Sequence, residues 1–206
     1  MKNELHVISN GQMTFEELTN VAMQIEGEID YLHIREREKN TKELYEGVES
    51  LLKRGFPASK LVMNDRIDIA ILLNIPRVQL GYRSADVRFV KEKFSYLHVG
   101  YSVHSLEEAI VAFKNGADSL VYGHVFLTNC KKGVPARGLE EISDMARRLT
   151  VPITAIGGIT PQNAAEVLRS GVSGIAVMSG IVSDRTPYEK ARLYKETIRK
   201  WAENHE

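Results

Sequence analysis

The sequence predicts a single α/β domain over residues 1–206, a (β/α)8 barrel of the TIM type. Short β-rich runs alternate with longer segments of helical periodicity, and this pair recurs eight times along the chain. Eight such units are the number that closes a barrel. No linker, low-complexity tract or block of like charges divides the chain. The alternative is an open doubly wound sheet, which usually has about five or six strands and would leave two units unexplained.

The predicted strands are short runs of β-branched and other apolar residues. In chain order they span residues 5–8, 29–34, 61–63, 77–80, 96–99, 119–122, 153–156 and 174–178. The predicted helices repeat their apolar residues at helical spacing and span residues 14–26, 41–54, 66–73, 85–93, 105–114, 139–149, 161–169 and 187–202. Repeated strand–helix units imply parallel strands that are joined by right-handed crossovers.

Glycine and proline mark two of the helix boundaries. Gly55 and Pro57 follow the helix predicted at 41–54, because glycine readily adopts the left-handed conformation that ends a helix and proline cannot continue it. Pro161 opens the helix predicted at 161–169, since the first helical turn needs no N–H from that residue.

The composition is that of a soluble globular protein, with 43% hydrophobic and 26% charged residues. The 27 basic residues balance the 27 acidic ones, so charge gives no argument for a nucleic-acid or membrane partner. No run approaches the roughly 18 apolar residues of a membrane span, and the N-terminus lacks the apolar stretch of a secretory signal. Cys130 is the single cysteine and cannot form an internal disulfide. We expect a cytoplasmic protein whose partner is a small molecule, with a homo-oligomer left open.

The active site of such a barrel lies in the loops that follow the carboxyl ends of the strands. Two of these loops carry glycines, at 157–158 after the seventh strand and at 180 after the eighth. Glycines let backbone N–H groups approach an anion, and a helix N-terminus adds partial positive charge. The pattern predicts a phosphate site there; the alternative is that the glycines serve only tight turns.

The connection at 123–138 is the longest loop between a predicted strand and the next helix. Loops of this length are often lids or ligand clamps. Thr128, Lys131, Lys132 and Arg137 are candidates to close over an anionic substrate, and the alternative is a solvated surface loop.

The six histidines separate by their position. His6 and His98 lie within strands and are expected to be structural, whereas His33, His104 and His124 fall near the mouth. His124 directly follows the end of the sixth strand. Its imidazole titrates near neutral pH in the absence of perturbation, so it is the candidate for general acid–base catalysis.

Other catalytic chemistry finds little support in the sequence. Cys130 has no evident group to lower its pKa and is expected to be an ordinary thiol. No Ser–His–Asp order, Walker loop, dinucleotide fingerprint or zinc-ligand spacing occurs. We therefore expect an enzyme without a cofactor or a bound metal.

Six motifs, in this order, resemble the thiamine phosphate synthase superfamily: HIRER, VMND, VGYSVHS, YGHVFLTNCKK, AIGGIT and AVMSGI. The resemblance covers essentially the whole chain. It implies a barrel that couples a hydroxymethylpyrimidine pyrophosphate to a thiazole phosphate with magnesium. By motif, it assigns pyrophosphate binding to Arg35 and Arg37, with Asn64 beside them, and a magnesium carboxylate to Asp65. The remaining substrate-binding positions implied by the motifs are Ser102, Thr128, Cys130, Lys131, Gly158, Met178 and Ser179.

This chain departs from the synthase pattern at four places. The turn at 81–84 reads GYRS, which puts Arg83 and Ser84 where the synthase has its second magnesium carboxylate. His33 stands in place of a glutamine, and Arg37 in place of a lysine. After the sixth strand the synthase has glycine–proline, whereas this chain has glycine followed by His124.

These departures resemble the TenI-type thiazole tautomerases of the same superfamily, which are isomerases of thiamine biosynthesis. That resemblance implies aromatisation of a phosphorylated dihydrothiazole carboxylate by a 1,3-proton shift, without metal or cofactor. His124 would carry the proton, and Gly158, Met178 and Ser179 would hold the phosphate. Lys131, with Arg35 or Arg37, would stabilise the substrate carboxylate.

Two alternatives stay open. The first is thiamine phosphate synthase itself, which Asp65 supports because it retains one magnesium carboxylate. The second is a non-catalytic regulatory paralogue. The neutral charge and the lack of a helix-turn-helix pattern speak against direct DNA binding by such a regulator.

Overall fold

Eight parallel strands close into a barrel in which every strand pairs with its two neighbours in chain order. The computed structural model describes residues 3–128 and 133–205. The strands are β1 (Glu4–Ile8), β2 (Tyr31–Ile34), β3 (Leu61–Asn64), β4 (Arg77–Leu80), β5 (His98–Val103), β6 (Ser119–Gly123), β7 (Ile153–Ile156) and β8 (Gly174–Val177). Because β1 pairs with both β2 and β8, the sheet has no edge. The predicted barrel is confirmed, and the open sheet is excluded.

Helices follow the strands and surround the barrel. They are α1 (Phe15–Ile25), α2 (Thr41–Lys53), α3 (Ile67–Leu72), α4 (Val87–Lys93), α5 (Leu106–Lys114), α6 (Glu140–Arg148), α7 (Ala164–Arg169), α8 (Ser179–Val182) and α9 (Pro187–Glu203). The short α8 is absent from the sequence prediction. Thr14 and Asn40 begin α1 and α2 with capping boxes, in which side chain and backbone satisfy each other's free N–H groups. None of the helices in the described part of the chain is long and apolar enough to cross a membrane.

The apolar core lies between the barrel and its helices. Leu5 and Val7 of β1 are fully buried against this layer, as are Leu18 and Ala22 on the inner face of α1. Burial of a large apolar side chain contributes about 1.5–3 kcal/mol relative to exposure. This layer therefore stabilises the barrel and leaves its interior free for other residues.

The interior of the barrel is polar. His6, His33, Gln79 and Thr154 are buried there, at 9%, 2%, 5% and 4% exposure. Large branched apolar residues usually fill this space, so each of these polar groups needs a hydrogen-bond partner. The sequence analysis places the candidate functional residues at the strand ends and expects His6 and His98, within strands, to be structural. The structure adds a second polar region inside the strands.

The fifth strand differs from its prediction, because it runs over His98–Val103 rather than residues 96–99. Its second half pairs with β4 and with β6, and Ser102 lies opposite Val121. Gly100 permits this pairing because it has no side chain. A Cβ there would lie 2.3 Å from Oε1 of Gln79, its register partner on β4. Ser102 thus stands on a strand inside the mouth instead of in a loop.

Candidate active site at the carboxyl end of the barrel

A cavity of about 1020 Å³ opens at the carboxyl ends of the strands, and residues from all eight strand ends line it. Most of the binding residues expected from the sequence lie in this lining: Arg35, Arg37, Asn64, Ser102, His124, Thr128, Gly158, Met178 and Ser179. Two further expected residues, Cys130 and Lys131, lie outside the described residues. The structure therefore brings the described candidates together in one cavity, and their roles stay predictions.

The loop after β2 brings two cations to one side of the mouth. Arg35 is half-buried and Arg37 is exposed. The backbone N–H of Arg35 donates to Oγ of Ser9 at 2.8 Å, which ties this loop to the end of β1. Both guanidinium groups line the cavity, where planar, permanently charged donors suit a phosphate or pyrophosphate.

Glu36, between these arginines, is a cavity residue that the sequence analysis misses. It is only 6% exposed, and neither carboxylate oxygen has a hydrogen-bond partner in the described chain. Buried polar groups without partners are rare and call for an explanation. The sequence signal was a carboxylate flanked by two arginines in a strand-end loop, but alternating charge alone does not distinguish a buried side chain from an exposed one.

Asp65 and Ser84 meet between the ends of β3 and β4. Asp65 is exposed and has a left-handed backbone, with φ of 63°. The Ser84 hydroxyl donates to Oδ1 of Asp65, and the same oxygen of Ser84 accepts from the backbone N–H of Gly81 at 2.8 Å. Arg83, beside them, lies over the Tyr82 ring at 5.2 Å. The departure expected at this turn thus places a hydroxyl, rather than a second carboxylate, against Asp65.

His124 is buried at 3% exposure where the loop after β6 begins. Its Nε2 lies 3.3 Å from the carbonyl oxygen of Val134, and its Nδ1 is buried without a partner in the described chain. The carbonyl of His124 accepts from the N–H of Arg137 at 3.1 Å. The imidazole therefore lies beneath the returning arm of the long loop.

Both described arms of this long loop are anchored to the barrel. Phe126 donates to the carbonyl of Gly157 at 3.0 Å, and Gly138 to that of Val125 at 3.0 Å. The Arg137 guanidinium donates to the carbonyl of His104 at 2.5 Å. Arg137, expected as an anion contact, is therefore used here to hold the loop against β5. The expected contact Lys132 lies outside the described residues.

The glycines after β7 are required by sterics as well as by the turn. Gly157 and Gly158 have φ of 106° and 66°. A Cβ on Gly158 would lie 2.5 Å from the carbonyl oxygen of Leu127 and 2.7 Å from Cβ of Phe126. The loops after β6 and β7 therefore touch at backbone distance. These glycines are therefore needed for the turn. They also line the cavity with Met178 and Ser179, so the prediction of a phosphate site stays open.

His33 is neutral at physiological pH. Burial, followed by the electrostatic effect of His6, lowers its pKa to about 3. Its Nδ1 lies 3.2 Å from Oδ1 of Asn64, and its Nε2 lies 3.0 Å from Nδ1 of His6. Both ring nitrogens are engaged, so His33 orients Asn64 at the mouth instead of offering a free base.

Comparisons with known proteins identify the family of this chain. Residues 5–181 match the family model described as thiamine monophosphate synthase. The thiamine-phosphate synthase of Pyrococcus furiosus is 37% identical over 204 residues, 98% of this chain and 96% of that protein. The one from Clostridium acetobutylicum is 35% identical, over 85% and 84% of the two chains. A solved structure of thiamine phosphate pyrophosphorylase from Pyrococcus furiosus superimposes with a TM-score of 0.83 at 31% identity, covering 97% of each chain.

These relatives contradict the expectation of a thiazole tautomerase, and with it the expectation of an isomerase. Their names are those of an enzyme that joins two molecules, so the expectation of an enzyme is supported in its coarser form. The tautomerase interpretation gave most weight to one substitution, His124 after β6, whereas the match to named synthases extends over nearly the whole chain.

Proposed function

The chain belongs to the thiamine monophosphate synthase family, and on this premise we propose that it is a transferase of thiamine biosynthesis. It joins a hydroxymethylpyrimidine pyrophosphate to a thiazole phosphate and releases pyrophosphate. The observation that carries this proposal is the match to named synthases over nearly the whole chain, together with a mouth that offers arginines on one side and glycine loops on the other.

The reaction forms one bond and breaks one. The thiazole nitrogen attacks the methylene carbon of the pyrimidine, a C–N bond forms, and the C–O bond to pyrophosphate breaks. The electron pair of that bond leaves with pyrophosphate, and no carbon-bound proton moves. The enzyme therefore needs to align two substrates and to stabilise negative charge on the leaving group.

We assign the leaving group to the arginine side of the mouth. Arg35 and Arg37 bind the pyrophosphate oxygens, and Asn64 supports them from the end of β3. Charge-assisted hydrogen bonds of this kind are about twice as strong as neutral ones. They also strengthen as charge develops on the departing oxygen, which is the condition for a rate effect.

We assign the thiazole phosphate to the glycine side. Gly158, Met178 and Ser179 border the cavity there, and the first N–H groups of a helix such as α8 have no partner within the helix. Ser102 and Thr128 contribute hydroxyl groups to the lining. Cys130 and Lys131 remain predictions from the motif, and a homo-oligomer is still left open.

The residues present fit the magnesium ion that the family implies. Magnesium usually binds one or two protein carboxylates together with substrate phosphate oxygens. Asp65 supplies one carboxylate, and Ser84 places a second oxygen in contact with it. Within the described ranges no three acidic, histidine or cysteine side chains form a cluster that could hold a metal alone. Asp65 with Ser84 would therefore hold magnesium jointly with pyrophosphate, where the ion neutralises the charge of the leaving group.

His124 takes a different part in this reaction from the one expected of it. Because coupling transfers no carbon-bound proton, a proton shuttle has no task here. His124 borders the cavity next to the glycine side, and we propose that it packs against the thiazole substrate beneath the long loop.

The coupling reaction itself tests the proposal. Purified protein is incubated with both substrates and magnesium, and thiamine phosphate is measured by mass spectrometry alongside released pyrophosphate. We expect the two products in equal amounts, with neither formed when one substrate is omitted. Thiamine phosphate at no more than the level of a protein-free control would overturn the proposed function.

A further inference from the structure

The charged side chains that line the mouth lie on one side of it in the part of the chain that the structure describes. They belong to the loops after β2, β3 and β4, which are neighbours because these strands pair in this order. The cations of this set are Arg35, Arg37, Lys39, Arg66 and Arg83, and its acids are Glu36, Glu38 and Asp65. Since the cations are in excess, this side of the mouth attracts a ligand with several negative charges.

The arginines on the loops after β3 and β4 differ in what they contact. The Arg66 guanidinium lies 2.6 Å from Oδ2 of Asp68 and 2.9 Å from Oγ1 of Thr41. Arg83 forms no hydrogen bond or ion pair with any residue in the described ranges. Its guanidinium lies over the Tyr82 ring, with 5.2 Å between Cζ and the ring centroid. Arg66 is therefore engaged by the protein, whereas the donors of Arg83 remain available to a ligand.

The contact with Tyr82 suits Arg83 to anion binding. A guanidinium that stacks on an aromatic ring uses its flat face, and its N–H bonds point outwards in the plane of the group. These N–H edges are the ones that pair with two oxygens of a phosphate. Arg83 and Tyr82 are both exposed and both line the cavity, so an anion in the mouth can reach the donors.

The turn that carries Arg83 is closed by its own hydrogen bonds. The N–H of Ser84 donates to the carbonyl of Gly81 at 2.9 Å, and the N–H of Gly81 donates to Oγ of Ser84 at 2.8 Å. The Ser84 hydroxyl in turn donates to Oδ1 of Asp65. Arg83 therefore stands on a turn whose two ends are bonded to each other and to the neighbouring carboxylate.

This position brings Arg83 to the part of the mouth where the leaving group needs positive charge. The proposed function assigns magnesium to Asp65, together with a pyrophosphate oxygen. A phosphoryl group bound at Asp65 lies next to the turn after β4. The charge of an arginine is permanent, so a contact from Arg83 does not depend on whether an ion is bound.

We propose that Arg83 is a further residue of the leaving-group site, and that its guanidinium binds pyrophosphate oxygens from the turn after β4. It neutralises charge on the same phosphoryl group as the ion at Asp65. The identity of the anion as a leaving group rests on the proposed function. The binding of pyrophosphate to this turn does not, because it follows from the free guanidinium and its fixed mount.

Calorimetric titration with inorganic pyrophosphate tests the proposal without turnover. Arg83→Gln keeps most of the side-chain length and removes the charge. In EDTA we expect its affinity to be lower than that of wild type by about tenfold or more, because hydrogen bonds to a charged group are lost. With magnesium present the loss should be smaller, since the ion also neutralises the phosphate oxygens. Equal affinities in EDTA, or no binding by wild type in EDTA at millimolar pyrophosphate, would overturn the proposal.

Arg88→Gln is the matched control. Arg88 is also an exposed arginine that lies over an aromatic ring, that of Phe89 at 5.0 Å, but it does not line the cavity. Its affinity for pyrophosphate should stay within about twofold of wild type. Equal losses in Arg83→Gln and Arg88→Gln would show that overall charge is responsible, and would overturn a contact at Arg83.

Nuclear magnetic resonance tests the contact itself. The arginine Nε–H signal that is missing from the spectrum of Arg83→Gln identifies Arg83 in the wild-type protein. We expect pyrophosphate in EDTA to shift this signal and to slow the exchange of its hydrogen with water. An Arg83 signal that stays unchanged at saturating pyrophosphate would overturn the proposal.

These results are distinct from the test of function. If coupling fails while Arg83→Gln shows the expected loss and the Arg83 signal shifts, the pyrophosphate site stands and only the proposed function falls. If coupling succeeds while Arg83→Gln binds pyrophosphate as wild type does, the proposed function stands and the role of Arg83 falls.

Discussion

The two ends of the barrel interior use their polar atoms differently. At the closed end, His98 bonds Ser119 at 3.0 Å and His6 bonds Glu4 at 3.2 Å. At the mouth, both carboxylate oxygens of Glu36 and Nδ1 of His124 are buried without partners in the described chain. Polar groups that serve structure are satisfied within the protein, whereas unused hydrogen-bonding capacity indicates a place where a ligand completes the set. The same strands thus carry a stabilising region and a binding region.

This contrast is tested most strongly at Asp65. Asp65→Asn removes the carboxylate that faces the mouth without changing its shape, and we expect the coupling rate to fall by about 100-fold or more. Thermal unfolding should stay within a degree or two, because the side chain is exposed. Steady-state rates with both substrates provide the measurement.

Asp68→Asn is the matched control for this change. Asp68 is also an exposed acidic residue near the end of β3, but it pairs with Arg66 at 2.6 Å and does not line the cavity. Its rate should stay within about twofold of wild type. Equal losses in the two variants would mean that the position of the carboxylate at the mouth is irrelevant.

A second test concerns the glycine side of the mouth. In Gly158→Ala, a Cβ at positive φ would press against the carbonyl oxygen of Leu127. We expect strain of about 1–3 kcal/mol and, because the loop must shift, affinity for thiazole phosphate reduced by about tenfold. Calorimetric titration and thermal unfolding measure the two effects.

Gly55→Ala separates strain from binding. Gly55 also has positive φ, of 97°, but no atom lies within 4 Å of its missing Cβ. This variant should lose some stability and keep full affinity for thiazole phosphate. If Gly158→Ala also keeps full affinity, the loop serves the turn alone and the phosphate site has been misplaced.

At the closed end, we expect an effect of pH on the free energy of unfolding. Burial, followed by the electrostatic effect of Arg77, lowers the pKa of His98 to about 4. The unfolded chain binds a proton below about pH 6.5 whereas the folded protein does not, so this group favours folding above that pH. The contribution should be lost as pH falls from about 6.5 towards 4.

His98→Gln should reduce the slope of that part of the stability curve, measured by chemical unfolding at several pH values, and the slope that buried His33 contributes should remain. The coupling rate at neutral pH should remain within about twofold of wild type. His205→Gln, in the exposed C-terminal segment, is the control and should leave the curve unchanged. A large loss of activity in His98→Gln would contradict the contrast between a closed end that stabilises the barrel and a mouth that binds substrates.

The smallest expected effect is at Glu36. A buried carboxylate without hydrogen bonds costs more than a neutral amide of similar shape. Glu36→Gln should therefore stabilise the unliganded protein by about 1 kcal/mol, whereas the exposed neighbour Glu38→Gln should change little. Lower stability in Glu36→Gln would show that the flanking arginines already compensate the charge.

The fold was predictable because each strand–helix unit repeats a pattern that is visible within about 25 residues. Strand boundaries were less predictable. The second half of β5 owes its extension to pairing with β4 and β6, and to the space that Gly100 leaves for Gln79. Such contacts join residues that are distant in sequence, so local strand propensity does not predict them.

The sequence predicted where the candidate residues lie, but not how each of them is buried and what it contacts. Barrel topology brings Arg35, Asn64 and Gly158 to one cavity. It does not reveal that Glu36 is buried between exposed charges, nor that the long loop covers His124. The tautomerase interpretation gave one substitution, His124, more weight than the remaining synthase motifs, and the relatives contradict that function.

A crystal structure with thiamine phosphate, pyrophosphate and magnesium would test the central claim most directly. The account predicts pyrophosphate at Arg35 and Arg37, with the Asn64 side chain within hydrogen-bond distance of it. The phosphate of thiamine phosphate should lie at the backbone N–H groups of Gly158, Met178 and Ser179. Pyrophosphate bound at the glycine side, or a mouth that binds neither product at millimolar concentration, would contradict it.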